Sequence, residues 1–171
     1  MYGVAPYTFL RRNTIETFLL TGSTHNSGNA YTDPTGDHGN YAVGMQEFTS
    51  GNDRLGLRFD RMGRNTLEVC QDISPIELQQ PNYPLTFAEM EMAILDDPFQ
   101  NITKLNNANT VLAVDTVTVP EGPNAWTFNF QRKCVFLDVS GATNDNIILQ
   151  WDVLGGDMAY VVIDNLRIRA C

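Results

Sequence analysis

The chain has 171 residues, of which 43% are hydrophobic and 10% aromatic, a composition that supports one folded core. The formal net charge is -9, because 11 Lys and Arg stand against 20 Asp and Glu. Nucleic-acid backbones and anionic lipid surfaces both attract basic faces, so this balance argues against either partner. An uncharged ligand or a calcium ion suits the acidic surface better.

The longest apolar runs have the length of a strand, as in Ala159 to Ile163, so we expect no membrane span. The N-terminal residues lack a basic segment followed by an apolar one and do not form a signal peptide. We therefore expect either a trimmed piece of a secreted protein or a chain that folds where it is made. The length favours a single domain over residues 1–171.

In chain order, a series of short segments has the β-branched and aromatic content of strands. They are Thr14–Leu20, Tyr41–Glu47, Leu55–Asp60, Thr66–Gln71, Leu85–Leu95, Val111–Val119, Trp126–Phe130, Val135–Val139, Asn146–Val153 and Tyr160–Ile168. Turn residues separate these segments, and none shows the 3.6-residue period of a helix. The pattern predicts an all-β fold, a two-sheet antiparallel jelly-roll sandwich of about ten strands with little or no helix.

Two irregular segments interrupt this pattern. Residues 21–40 are polar and rich in Gly, Asn, Ser and Thr, and such a long loop is either functional or a plain surface crossover. Pro75, Pro81 and Pro84 bracket a second one, since proline cannot donate to a strand ladder. Both segments are predicted contact surfaces.

Three cysteines, Cys70, Cys134 and Cys171, have no metal-ligand spacing. An odd count allows one disulfide and one thiol, or three buried thiols, and both remain open.

Three separated stretches occur in a familiar order: Thr14–Phe18, Asp33–Met45 and Ala159–Ile168, the last followed by Cys171. Together they resemble the MAM-type jelly roll of extracellular and cell-surface proteins. The closing stretch is also similar to the last strand of lectin-like sandwiches, of the concanavalin or galactose-binding type. The family's early cysteine pair is absent. The resemblance implies that Cys171 reaches back to a core-strand cysteine, with Cys70 preferred over Cys134.

The most informative single residue is Asp164. Strand alternation places it on the same side as Tyr160, Val162, Leu166 and Ile168, a side that reads as the core. A carboxylate that faces a core requires a partner.

The resemblance supplies one such partner, a structural calcium that links the first and last strands of lectin-like sandwiches. The matching ligands would be Glu16, Asp37 and Asp164, whose oxygens suit calcium. The alternative is that Asp164 accepts hydrogen bonds from loop amides or from His38.

Sugar stacking requires an exposed flat ring. Tyr31 and Tyr83 fall in predicted loops and are our expected ligand-binding residues, together with His38. Trp126 and Trp151 alternate with other apolar residues and are predicted to lie in the core.

A glycosidase would require paired carboxylates, and Glu89 and Glu91 share one strand face. The third acid of the glycosidase motif is missing, because Ile94 and Leu95 occupy that region. The two glutamates are therefore interpreted as a solvated face opposite Met90. A nucleophile elbow is also absent from the sequence, so we expect no enzyme.

These features predict a non-catalytic recognition module, lectin-like or MAM-like, that binds a glycan or a protein in adhesion at a cell surface. The alternative is a structural assembly subunit, such as a virion decoration, tail or filament component, whose partners are neighbouring copies. The expected location is accordingly extracellular or on a virion.

Overall fold

A computed structural model of the protein describes residues 7–10, 15–19, 21–24, 30–32, 41–48, 51–52, 54–77, 89–96, 110–119, 127–154 and 159–171. Within these ranges the secondary structure consists of strands, with the following bounds. They are β1 Tyr7–Leu10, β2 Ile15–Leu19, β3 Thr21–Thr24, β4 Ala30–Thr32, β5 Tyr41–Phe48, β6 Gly51–Asn52, β7 Arg54–Asp60, β8 Thr66–Glu77, β9 Glu89–Asp96, β10 Val111–Thr118, β11 Gln131–Asp138, β12 Asn146–Leu154 and β13 Ala159–Ala170. None of these residues belongs to a helix that could cross a membrane.

The strands form two main antiparallel sheets. The first sheet has the order β1-β7-β12-β9-β10, and the second has the order β11-β8-β13-β5-β2, with β6 paired to β5. Most neighbours in each sheet are distant in sequence, as expected when the chain crosses between two layers, whereas β9 and β10 are consecutive strands. The predicted all-β, two-sheet antiparallel sandwich is confirmed. Residues 21–40, predicted as loop, contain the separate pair β3-β4.

The core lies between the inner faces of the two sheets. Period-two alternation puts every second side chain of each strand there, as predicted for Trp151. From the first sheet it contains Leu55, Met90, Met92, Ile94, Ile147, Leu149, Trp151 and Val153, and from the second Met45, Leu67, Val69, Ile73, Val135, Leu137, Val161 and Ile163.

One polar side chain lies within this apolar layer. Gln71 of β8 is fully buried. Its Oε1 accepts a hydrogen bond of 2.7 Å from the indole Nε1–H of Trp151 on the opposite sheet. Its Nε2 faces the sulfur atoms of Met90 at 3.6 Å and Met92 at 3.3 Å. Gln71 therefore joins the two sheets through the centre of the core.

The last strand contains a bulge that reverses its alternation. Asp164 pairs with Asp72, but the next pair is Arg167 with Cys70, so β13 holds one extra residue there. Asn165 supplies the turn with a φ of 48°. Val161 and Ile163 face the core before the bulge and Leu166 packs on it afterwards. The predicted core-side position of Asp164 is therefore wrong, because continuous alternation does not hold across Asn165.

The disulfide joins Cys70 to Cys134, and Cys171 is an exposed thiol. The predicted pairing of Cys70 with Cys171 is wrong. The physical reason is register: Cys70 on β8 lies directly opposite Cys134 on β11, with their Cα atoms 4.1 Å apart. Cys171 instead continues past β13, where its backbone N–H donates to the carbonyl of Thr66 at the start of β8.

Pro75 lies inside β8, although it was predicted to begin an irregular segment. It pairs with Val161 of β13, while the pairing of β8 with β11 ends at Ile73. Pro75 therefore lies beyond the end of the register between β8 and β11, near the edge of the sheet, where a proline costs least.

In the segment predicted as a strand over Trp126–Phe130, Trp126 lies outside the described residues and the remaining four contain an isolated bridge at Thr127. There the backbone N–H of Asn129 donates to the hydroxyl of Ser74 at 2.7 Å. Phe128 is buried, and its ring stacks on Phe130 with centroids 5.3 Å apart.

Removing the disulfide should destabilise the protein. Because the bridge spans a sequence separation of 64 residues, replacing Cys70 and Cys134 by serine should lower the free energy of unfolding by about 2–4 kcal/mol. Denaturant titration measures this loss. Cys171→Ser is the control, with a change within about 0.5 kcal/mol. Denatured without reductant, Cys171→Ser should contain no titratable thiol, whereas two thiols would contradict the Cys70–Cys134 pairing.

Removing the glutamine acceptor should also destabilise the core. Gln71→Met leaves the indole N–H of Trp151 buried and unsatisfied, at a cost of about 1–3 kcal/mol. In a double-mutant cycle with Trp151→Phe, the two losses of unfolding free energy should depart from additivity by about 1 kcal/mol or more, since each change removes the same bond. Additive costs in denaturant unfolding would show that the bond contributes nothing.

Candidate functional site

The outer face of the first sheet carries a line of polar side chains, which we call the polar row. It consists of Arg54 on β7, Asp152 on β12, Glu91 on β9 and Thr116 on β10. Asp152 lies opposite Arg54 on one side and Glu91 on the other, and Glu91 lies opposite Thr116. Because the residues beside them in each strand face the core, these four side chains face away from it.

The polar row is partly buried although it lies outside the core. Asp152 is only 3% exposed, and Gln150, one row further along β12, is 8% exposed. Glu91 is half-buried, while Thr116 on the edge strand is exposed. The polar row is therefore buried at its centre, at Asp152, and exposed at the edge of the sheet, at Thr116.

An ion pair holds the buried part of the polar row in place. The Oδ2 of Asp152 accepts a hydrogen bond from the Nε of Arg54 at 2.7 Å, and the Arg54 side chain is 33% exposed. The other oxygen of Asp152, Oδ1, is buried and receives no hydrogen bond from any described residue. Buried carboxylate oxygens normally have a donor, so this one indicates a place where a ligand hydroxyl or a cation can bind.

Beyond Gln150 the same face becomes apolar. Ala93, Leu95 and Ile148 form a small buried cluster of their own. Gly56, opposite Gln150, adds no side chain to the face between Arg54 and Arg58. The outer face therefore combines planar hydrogen-bonding groups with apolar neighbours, an arrangement typical of small polar ligand sites.

The sequence analysis found only part of this face. It placed Glu89 and Glu91 opposite Met90, which the burial confirms, since Glu89 is exposed and Met90 is buried. The solvated face predicted for these two glutamates does not continue along β9, because Ala93 and Leu95 on the same side are buried. The missed signal was the pair of polar residues, Gln150 and Asp152, that alternates with apolar ones in β12.

Two of the predicted calcium ligands, Glu16 and Asp164, lie in the second sheet on β2 and β13, with β5 between these strands. Glu16 on β2 lies opposite Gly44, and Gly44 lies opposite Val162, two residues before Asp164. The Oδ1 of Asp164 accepts a hydrogen bond from the backbone N–H of Asn165 at 2.7 Å. Asp37 lies outside the described ranges. Within them, no three His, Cys, Asp or Glu side chains are grouped to hold a metal.

Calcium binding therefore stays a prediction. Among the predicted ligand-binding residues, Tyr31 belongs to β4 rather than to a loop, and His38 and Tyr83 lie outside the described residues. The predicted assembly role and the predicted location are likewise untouched by any described feature.

No protein-family model and no curated protein matches the chain. Solved structures share its fold. A family 61 carbohydrate-binding module in complex with β-1,4-galactotriose has a TM-score of 0.53 at 10% identity, over 97% of this chain and 89% of that one. A family 4 carbohydrate-binding module has a TM-score of 0.52 at 7% identity, over 77% and 70%.

The fold is not confined to binding modules. A cyclase from Fischerella sp. TAU, in complex with 4-(1H-indol-3-yl)butan-2-one, has a TM-score of 0.51 at 16% identity, over 96% of this chain and 88% of that one. At these identities the similarities establish a shared β-sandwich jelly roll and no more. The MAM-type resemblance in particular gains no support from these three structures, which are two carbohydrate-binding modules and a cyclase.

Breaking the ion pair of the polar row should cost stability. Arg54→Met leaves the carboxylate of Asp152 buried without its donor, which should lower the free energy of unfolding by about 1–3 kcal/mol. Adding Asp152→Leu should recover most of this loss, because the uncompensated charge is then gone. Denaturant unfolding measures both changes.

The matched control is Arg169→Met in the second sheet. Arg169 is 78% exposed and its pair with Glu68 spans 3.5 Å. Arg169→Met should lower the free energy of unfolding by no more than about 1 kcal/mol. An Arg54→Met chain as stable as the parent would show that the pair does not hold the row.

Proposed function

We propose that the chain is a non-catalytic module that binds a neutral oligosaccharide on the outer face of its first sheet. The observation that carries the proposal is the polar row itself, with the donor-less Oδ1 of Asp152 between Arg54 and Glu91. A hydroxyl donor entering there satisfies that oxygen, while the guanidinium of Arg54 donates to a neighbouring hydroxyl oxygen.

The chemistry of the row suits a sugar better than an anion. Carboxylates accept from hydroxyl groups and guanidinium groups donate to them, so adjacent hydroxyls of one ring can be bound by neighbouring strands. The net charge of -9 repels acidic glycans, which favours neutral ones. The shared fold of the carbohydrate-binding modules supports this proposal.

Binding would take place where the row is accessible. Arg54, Glu91 and Thr116 are exposed or half-buried and provide the contact surface. Asp152 lies deeper and holds the guanidinium of Arg54 in place. The site is built on strands, which keeps its geometry rigid.

Glycan-array screening followed by calorimetry with the best neutral oligosaccharide tests the proposal. Glu91→Ala should weaken binding by about tenfold, since it removes one good hydrogen bond to the sugar. The matched control is Glu68→Ala on the outer face of the second sheet, with unchanged affinity. Circular dichroism and unfolding midpoints show that each variant is folded.

A second comparison separates this site from an aromatic platform. Phe136 of β11 is 64% exposed on the outer face of the second sheet and offers an alternative stacking surface. If Phe136→Ala abolishes binding while Glu91→Ala does not, the site is misplaced. If no neutral glycan binds, the proposed function is wrong, and if the bound oligosaccharide is cleaved, its non-catalytic part is wrong.

A further inference from the structure

Two exposed valines border the open end of the polar row on the edge strand β10. Val111 is 53% exposed and Val114 is 51% exposed, and we call this pair the valine edge. They are two of the five large hydrophobic side chains that are exposed among the described residues. A single exposed apolar residue is ordinary, whereas neighbours on one face form a patch that a ligand can cover.

Strand pairing puts the valine edge on the outer face of the first sheet. Val114 lies opposite Ala93, and Val111 lies opposite Leu95. Ala93 and Leu95 belong to the small buried cluster outside the core, so their partners on β10 also face away from the core. Residues three apart in a regular strand would lie on opposite faces, but the bulge between Val111 and Ala113 brings both valines to the same one.

The valine edge is adjacent to the accessible end of the polar row. Thr116 is exposed and follows Val114 by two residues, a separation of about 7 Å along the strand. Glu91 is half-buried, lies opposite Thr116 and is therefore a diagonal neighbour of Val114, at about 7–8 Å. One sugar ring with its substituents can contact all three side chains together.

The two sides of this site differ in chemistry. The carboxylate of Glu91 accepts hydrogen bonds, and the hydroxyl of Thr116 both accepts and donates them. The valine edge does neither. A ligand hydroxyl placed against it loses hydrogen bonds to water and gains none, which weakens binding. A ligand methyl group in the same place removes apolar surface from water on both partners, which strengthens binding.

We propose that the site at the open end of the polar row binds a 6-deoxyhexose, with ring hydroxyls at Glu91 and Thr116 and the exocyclic methyl group against the valine edge. The inference rests on the proposed function, because it names the class of sugar that the same face binds. In a 6-deoxyhexose a methyl group replaces the hydroxymethyl group of an ordinary hexose, and the remaining hydroxyls of the ring are kept.

Other modified sugars suit the site less well. An N-acetyl group also ends in a methyl group, but its amide N–H and carbonyl require hydrogen-bond partners, which the valine edge does not offer. Sugars with a carboxylate are repelled by Glu91 and by the net charge of -9. A neutral ring with one apolar substituent satisfies both sides of the site.

Two pairs of methyl glycosides test the inference: α-L-fucoside against α-L-galactoside, and α-L-rhamnoside against α-L-mannoside. The members of each pair differ only in the hydroxyl group on the exocyclic carbon, and the two pairs differ in ring configuration. Saturation-transfer NMR and calorimetry measure binding. We expect a dissociation constant of about 1 mM for the better deoxy sugar, and about tenfold weaker binding of its hexose counterpart.

Variants then locate the methyl group. Val114→Thr keeps the size of the side chain and adds a hydroxyl, and threonine is well tolerated in strands. It should remove most of the preference for the deoxy sugar and leave the affinity for the hexose unchanged. Val111→Thr should have the same effect to a smaller extent, because Val111 is further from Thr116. The matched control is Met62→Gln, which removes another exposed apolar side chain, in the turn between β7 and β8, and should change neither affinity.

The outcomes separate this inference from the proposed function. Equal binding within both pairs, or tighter binding of the hexoses, overturns the inference and leaves glycan binding intact. A full preference in a folded chain with both Val111→Thr and Val114→Thr also overturns it, because the methyl group then lies elsewhere. If N-acetylgalactosamine gains more over galactose than the deoxy sugars gain over their hexoses, the valine edge binds an acetamido group instead. If no neutral sugar binds, the proposed function itself is wrong. Unfolding midpoints show that each variant is folded.

Discussion

The hydrogen bond between Gln71 and Trp151 sets the geometry on which the rest of the molecule depends. It crosses the apolar core from the second sheet to the first at 2.7 Å and fixes a large side chain that packing alone could seat in more than one way. The sulfur atoms of Met90 and Met92 fill the space around the glutamine amide, and such flexible side chains adapt to an irregular polar neighbour. A satisfied polar bond inside a core specifies one register between the layers, where a purely apolar core would allow sliding.

The polar row follows from that register through one strand. In β12, Trp151 faces inward into the core, while its neighbours Gln150 and Asp152 face outward and form the centre of the outer face. Fixing the indole ring therefore fixes the row on the other side of the sheet. Loops are not needed to position either set of side chains, which makes the geometry more rigid than that of a loop site.

Much of this fold could be predicted from local pattern, and the parts that could not depend on contacts between distant segments. The segments Val111–Val119 and Asn146–Val153 match strands to within about a residue, because alternating burial is a local signal. The bulge at Asn165 has no such local signal, and the one extra residue moves every later side chain of the strand to the opposite face of the sheet. The Cys70–Cys134 bridge depends on the register of β8 and β11. The polar row depends on strands from three separate parts of the chain: β7, the consecutive pair β9 and β10, and β12. Neither arrangement has a local signal.

The outer face of the first sheet shows why the polar row points to recognition. Its apolar end, Ala93, Leu95 and Ile148, is buried and stabilises the sheet at no electrostatic cost. Apolar residues in place of Arg54 and Asp152 would keep most of the stability of the sheet, because replacing a buried ion pair in this way is often neutral or favourable. The chain instead keeps charges there and leaves one carboxylate oxygen without a donor, at a cost of about 1–3 kcal/mol. The rest of the strand has the residues that its position in the fold favours. An unfavourable polar group within such a strand is typical of a place where a protein binds a ligand or a partner.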